Sequence, residues 1–133
     1  MARRKGKMQE EVLEVLRRHD QPQTAYALLA EMRADHPLLA PTTIYRALDA
    51  LMERGAIHRL ESLKAFVIRR HEDQGDACLM AICDECGAVE ERLAPRLIDD
   101  VSAEAAKSGF APTRHVIEVH GRCAGCEPGD TAR

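Results

Sequence analysis

PTTIYRALDALMERGAIHRLESLKAFVIR, residues 41–69, reads as a helix followed by a hairpin. Pro41 occupies a first-turn position, where its missing N–H costs nothing. Ile44, Ala47, Leu48 and Leu51 recur at helical spacing and form a buried stripe. Gly55 ends the helix as a left-handed cap would. Two β-rich runs follow, 57–60 and 65–69, joined by Glu61-Ser62-Leu63-Lys64. Upstream, Val12, Leu13, Val15 and Leu16 mark a helix over residues 8–19, broken by Asp20-Gln21-Pro22. Thr24 is placed to N-cap a second helix that runs through Leu28, Leu29 and Met32 and stops before His36-Pro37. Three short helices and a hairpin, in that order, predict a winged helix-turn-helix whose third helix enters a DNA major groove.

The outward face of that third helix carries Thr42, Thr43, Tyr45, Arg46 and Asp49. Arg46 suits paired hydrogen bonds to guanine, and Tyr45 a phosphate or a thymine methyl. Arg3, Arg4, Lys5 and Lys7 form a basic arm suited to the DNA backbone or minor groove. Three competing readings need no DNA. Tyr45 would be half-buried packing, Arg46 would pair with Asp49 three residues on, and the arm would be a solvated tail.

Downstream, four of the five cysteines form two Cys-x-x-Cys pairs, Cys83/Cys86 and Cys123/Cys126, with Gly87 after the first and Gly125 inside the second. A two-residue spacer lets both sulfurs turn toward one ion, and two such knuckles complete a tetrahedral structural zinc shell. Disulfides are the alternative in an oxidising compartment. Residues 1–8 are polar and basic, with no apolar signal core behind them, so reduced cytoplasmic thiols are expected. A redox motif would need a single pair opening a helix. The 36 residues between the knuckles hold a strand at 88–93, a helix at 95–108 with Leu97, Ile98, Val101 and Ala105 on one side, and a strand at 115–120; another strand, 79–82, leads into the first knuckle. So small a unit cannot hide its own apolar face, which predicts pairing with a second copy.

Composition divides at the same place. Residues 1–70 hold 13 Lys/Arg against 9 Asp/Glu, a net +4, whereas residues 71–133 hold 6 against 13, a net −7, inside an overall charge of −3. A basic half that binds polyanion and an acidic half that binds metal is the expected division of labour. Trp is absent and Phe and Tyr number two each, so the core is aliphatic. No apolar run reaches membrane-spanning length. The expected fold class is α+β: a winged-helix DNA-binding domain at 1–70, a hinge at 71–76, and a small α/β dimerisation domain with a four-cysteine zinc site at 77–133.

Pro41-Thr42-Thr43-Ile44-Tyr45-Arg46-Ala47-Leu48 resembles the recognition helix of the ferric uptake regulator family. Cys83-Asp84-Glu85-Cys86-Gly87 and His120-Gly121-Arg122-Cys123-Ala124-Gly125-Cys126 resemble its two knuckles, in the family's order, over Glu10 to Cys126. His58-Arg59-Leu60-Glu61-Ser62, Ala81-Ile82-Cys83 and Arg114-His115-Val116-Ile117-Glu118 look most like its zinc uptake regulator branch. The dense histidine cluster of iron-sensing members is missing from Asp76-Ala77-Cys78-Leu79-Met80. The resemblance implies a cytoplasmic, homodimeric, zinc-responsive repressor that binds a palindromic operator and controls zinc import. Two zinc ions per protomer are implied, one structural and one regulatory.

For the regulatory ion, His58 and Glu91 match the branch's first and last ligands. Arg69 and Asp76 stand where a cysteine and a histidine are common, and an arginine cannot ligate a cation. His71 and Cys78 each lie two residues further on, and extended residues two apart share a face. The expected set is therefore His58, His71, Cys78 and Glu91, with Asp76 as the alternate. Cys78 as a small buried hydrophobe and His71 as a solvated loop residue are the plainer readings. Outside the main reading stand an iron or peroxide sensor of the same family and a zinc-ribbon adaptor that binds protein. An enzyme is not expected, since no nucleophile–base or paired-carboxylate arrangement stands out.

Overall fold

The computed structural model describes residues 2–69 and 78–126, and of Ala2–Lys5 and Cys78 the backbone only. The chain forms two compact units, Met1–Arg69 and Arg70–Arg133.

Unit 1 runs α1 (Ala2–Arg18), β1 (Gln23–Thr24), α2 (Ala25–Met32), α3 (Pro41–Glu53), β2 (Ile57–Leu60) and β3 (Ala65–Ile68). Thr24 caps α2: its Oγ1 accepts from the Ala27 amide at 3.0 Å. Arg33, just past α2, donates twice to the Leu39 carbonyl, at 3.1 and 2.9 Å, and so holds the turn that delivers the chain to α3. The end of α3 is a Schellman cap. Gly55 stands at φ 76°, its amide bonds Met52 O at 3.0 Å, and the Ala56 amide bonds Leu51 O at 2.9 Å. The core is the predicted stripe met by its neighbours: Val12, Leu28, Ile44, Leu48, Leu51 and Leu60 are fully buried. Each such side chain contributes about 1.5–3 kcal/mol.

Three features of unit 1 differ from the sequence reading. The first helix starts at Ala2 rather than near residue 8, because Ala, Arg, Lys and Met favour helix strongly enough to carry the basic stretch with them. The second helix stops at Met32, four residues short of His36-Pro37, and the intervening chain makes turns. A third strand, β1, pairs antiparallel with β3, giving the sheet order β1-β3-β2. Two residues are too few to show a period. The β2–β3 register, Leu60↔Ala65, is closed by the loop 61–64. Lys64 in that loop has φ 52°, a left-handed conformation that costs a residue with a Cβ about 1–2 kcal/mol.

Unit 2 runs β4 (Cys78–Cys83), β5 (Val89–Leu93), α4 (Pro95–Ala106) and β6 (Glu118–Gly121). β4 is central in the order β5-β4-β6, antiparallel to β5 and parallel to β6. The last strand is later and shorter than the predicted 115–120. Pairing begins with the Met80 amide on the Ile117 carbonyl at 3.0 Å. His115 turns instead to α4, with Nε2 2.6 Å from Ser102 Oγ. Only Met80, Ile82 and Cys83 are buried among the described apolar residues of this unit. No residue of α4 is buried, and Leu93, Leu97, Val101, Phe110, Val116 and Val119 are exposed. Alone, unit 2 has little apolar burial to set against the entropy of ordering its chain.

Candidate metal centre and nucleic-acid interface

β4 ends at Cys83, and the turn 84–87 brings Cys86 back beside it. The Gly87 amide bonds the Cys83 carbonyl at 3.0 Å, and Gly87 takes φ 80°, which glycine adopts without strain. β6 delivers the second knuckle alongside: the Asp84 amide bonds the Gly121 carbonyl at 2.7 Å, and the Cys126 amide bonds the Cys123 carbonyl at 3.0 Å. The parallel pairing of β4 with β6 therefore makes the two knuckles neighbours. All four Sγ atoms lie within 4.8 Å of one another, and Cys86 Sγ is 3.8 Å from Cys123 Sγ. Disulfide sulfurs would stand about 2.05 Å apart; these four cysteines are free thiols. A tetrahedron with zinc–sulfur bonds of about 2.3 Å has sulfur–sulfur edges of about 3.8 Å, so the group fits zinc in both donor type and spacing.

The local electrostatics prepare the cluster for a cation. The amides of Cys86 and Cys123 donate to Cys83 Sγ at 3.5 and 3.3 Å. These two bonds lower the Cys83 thiol to about 6. Cys126, crowded by the sulfurs of Cys123, Cys83 and Cys86, is pushed up to about 12. A dication must displace the proton there, so metal affinity should rise with pH. Zinc competition against a chromophoric chelator between pH 6 and 8 is expected to show tighter retention at the higher pH, with proton release on binding. A pH-independent affinity would contradict a thiol shell. Around the cluster, His120 pairs with Asp84 at 3.3 Å and Arg122 with Glu85 at 3.6 Å, each tying one knuckle to the other.

In unit 1 the predicted DNA-reading residues share the outer side of α3. Thr42, Tyr45 and Arg46 are exposed, and Thr43 is half-buried. The Arg46–Asp49 ion pair does not form among the described residues; the guanidinium is left to solvent. Tyr45, 49% exposed, borders a shallow apolar hollow lined by Ala25, Tyr26, Leu29, Pro41 and Ile44. Tyr26, 77% exposed on α2, breaks that helix's apolar stripe, so the periodicity assigns it no role. The side chains of Arg3, Arg4 and Lys5 lie outside the described residues.

Of the expected regulatory ligands, His58 is half-buried on β2, opposite Val67, and Glu91 is half-buried on β5, opposite Met80. His71, Asp76 and the Cys78 side chain lie outside the described residues. Among the described residues, the four-cysteine group is the one cluster of three or more ligands able to hold a metal, and no helix is long and apolar enough to cross a membrane.

Fold and thiol cluster together define a winged-helix regulator with a cysteine-clamped second unit. The chain belongs to the ferric uptake regulator family, whose model matches residues 3–120. The zinc uptake regulation protein of Escherichia coli (strain K12) is 44% identical to it over 117 residues, 87% of this chain and 68% of that protein. A solved zinc uptake regulator complexed with zinc and DNA superposes with a TM-score of 0.84 at 42% identity, covering 90% of this chain and 80% of that one. The crystal structure of holo XcZur gives 0.81 at 37% identity, over 90% and 83%.

Proposed function

We propose that the protein is a zinc-responsive transcriptional repressor that acts in the cytoplasm as a homodimer on palindromic operator DNA and represses zinc-uptake genes. The observation that carries this reading is one chain that joins an α3 with Tyr45 and Arg46 outward to a four-thiol cluster of zinc dimensions. The 44% identity to a zinc uptake regulation protein and the fold shared with a zinc- and DNA-bound regulator support it. Cys83, Cys86, Cys123 and Cys126 hold a structural zinc, whose chemistry is to neutralise four thiolates and tie two chain segments together. The exposed apolar face of α4, with Phe110, Val116 and Val119, is the surface that a second copy covers. The family and the zinc uptake regulation proteins it resembles fit a chain that is not an enzyme.

The regulatory zinc takes His58, His71, Cys78 and Glu91, with Asp76 as the alternate, making two ions per protomer. A ligand shifts a protein toward one arrangement only through its differential affinity for it. A thiolate-containing set favours zinc over iron or manganese. The deciding experiment titrates operator binding against buffered free zinc, iron and manganese. Zinc alone should bring on tight binding; a response to iron or to peroxide instead would give the protein to the other sensing classes of its family. Cys78→Ala should keep one tightly held zinc per protomer and need more free zinc for half-maximal operator binding. An unchanged zinc midpoint would remove Cys78 from the set.

A further inference from the structure

We propose that Lys64, at the tip of the β2–β3 wing, is a DNA-phosphate contact. Its backbone is the starting observation. Among the described residues it is the one non-glycine with positive φ, 52°. Its amide donates to the Leu60 carbonyl at 2.8 Å, and the Leu63 amide reaches the same oxygen at 3.2 Å. The turn is thus tightly made and fixed in a conformation that glycine or asparagine adopts at less cost. Strain kept at an exposed position points to a use for the side chain that bears it.

The charges around it narrow the use. Arg59, the neighbouring cation of the wing, is taken up by Glu61. Among the described residues the Lys64 ammonium forms no ion pair, and the residue is exposed. It stands at the end of the three-stranded sheet, where Ala65, directly below the loop, is flanked by Leu60 on one side and Thr24 on the other, so the turn that presents the charge is firmly held. The unit that bears it carries net positive charge while the chain as a whole is negative. Lysine presents a compact charge without a planar donor fork, which suits a phosphate better than a base edge. The contact therefore positions the protein on the duplex and carries no sequence information. This rests on the DNA-binding reading above.

The test compares the zinc-loaded full chain with Lys64→Gly and Lys64→Arg, for binding to operator and to random duplex across a salt series, with thermal melting in parallel. Lys64→Gly should melt at or above the parent temperature, because it relieves the left-handed backbone. It should bind both duplexes severalfold more weakly, with the operator-to-random ratio kept. Its plot of log affinity against log salt should be shallower by about 0.9 for each protomer on DNA. Lys64→Arg should restore the slope. A parent-like slope in Lys64→Gly overturns the proposal. Failure of the parent itself to bind DNA sinks the underlying reading instead, and the two results cannot be confused.

Discussion

Cys83→Ser is expected to release the tightly held zinc and unfold unit 2 while leaving the helices of unit 1 in place. Cys83 is the sulfur at the centre of the knuckle network: it is buried and accepts from the Cys86 and Cys123 amides. A serine hydroxyl is a poor zinc donor, and three remaining thiols leave the shell open. Structural zinc supplies about 10–16 kcal/mol of folding free energy. Against that, Met80 and Ile82 are, beside Cys83, the buried apolar side chains among the described residues of unit 2, together worth only about 3–6 kcal/mol. An ion held by the four thiols would therefore outweigh that burial. Zinc content by atomic absorption should fall to near zero, and hydrogen exchange should show lost protection across β4, β5 and β6 with α1 and α3 still protected. A metal-free Cys83→Ser protein with a protected β4–β6 pair would mean that the cluster is not the clamp.

Arg46→Ala is the second large effect, and it lies on the DNA side. Arg46 is exposed on α3, and its i,i+3 neighbour Asp49 does not hold it, so its removal breaks no ion pair among the described residues. A paired hydrogen bond from arginine to guanine is worth about 1–3 kcal/mol of discrimination, or roughly 5- to 150-fold. The substitution should lower operator affinity by that order, relax selectivity at one base position per half-site, and leave zinc content and melting temperature unchanged. Binding to random duplex should weaken much less. Equal weakening on operator and random DNA would make Arg46 a backbone contact.

What could be read from the sequence follows from which features are local. The α3 stripe, Pro41, Gly55 and the Thr24 cap are set by residues within a turn or two of one another, and they stand where the pattern placed them. The four thiols were legible because metal chemistry dictates both residue type and spacing. What escaped depends on distant partners. β1 exists only because β3 lies beside it. The later start of β6 reflects His115 bonding Ser102 on α4, a contact between positions 13 residues apart that no window of alternation contains. The Arg46–Asp49 pair is the reverse case: the spacing allowed it, and the side chains do not take it up. Tyr26 shows its place only once α2 and α3 are packed together.

The parallel partnership of β4 and β6 also orders events during synthesis. β4 and β5 form a simple hairpin, so their pairing needs no residue beyond 93. The other edge of β4 has no partner until residues 118–121 arrive, and no second pair of thiols until Cys123 and Cys126 follow. During that interval the chain carries an open strand edge, a template for pairing with the wrong neighbour. An ion held by all four thiols would lock β6 in place and keep that edge shut.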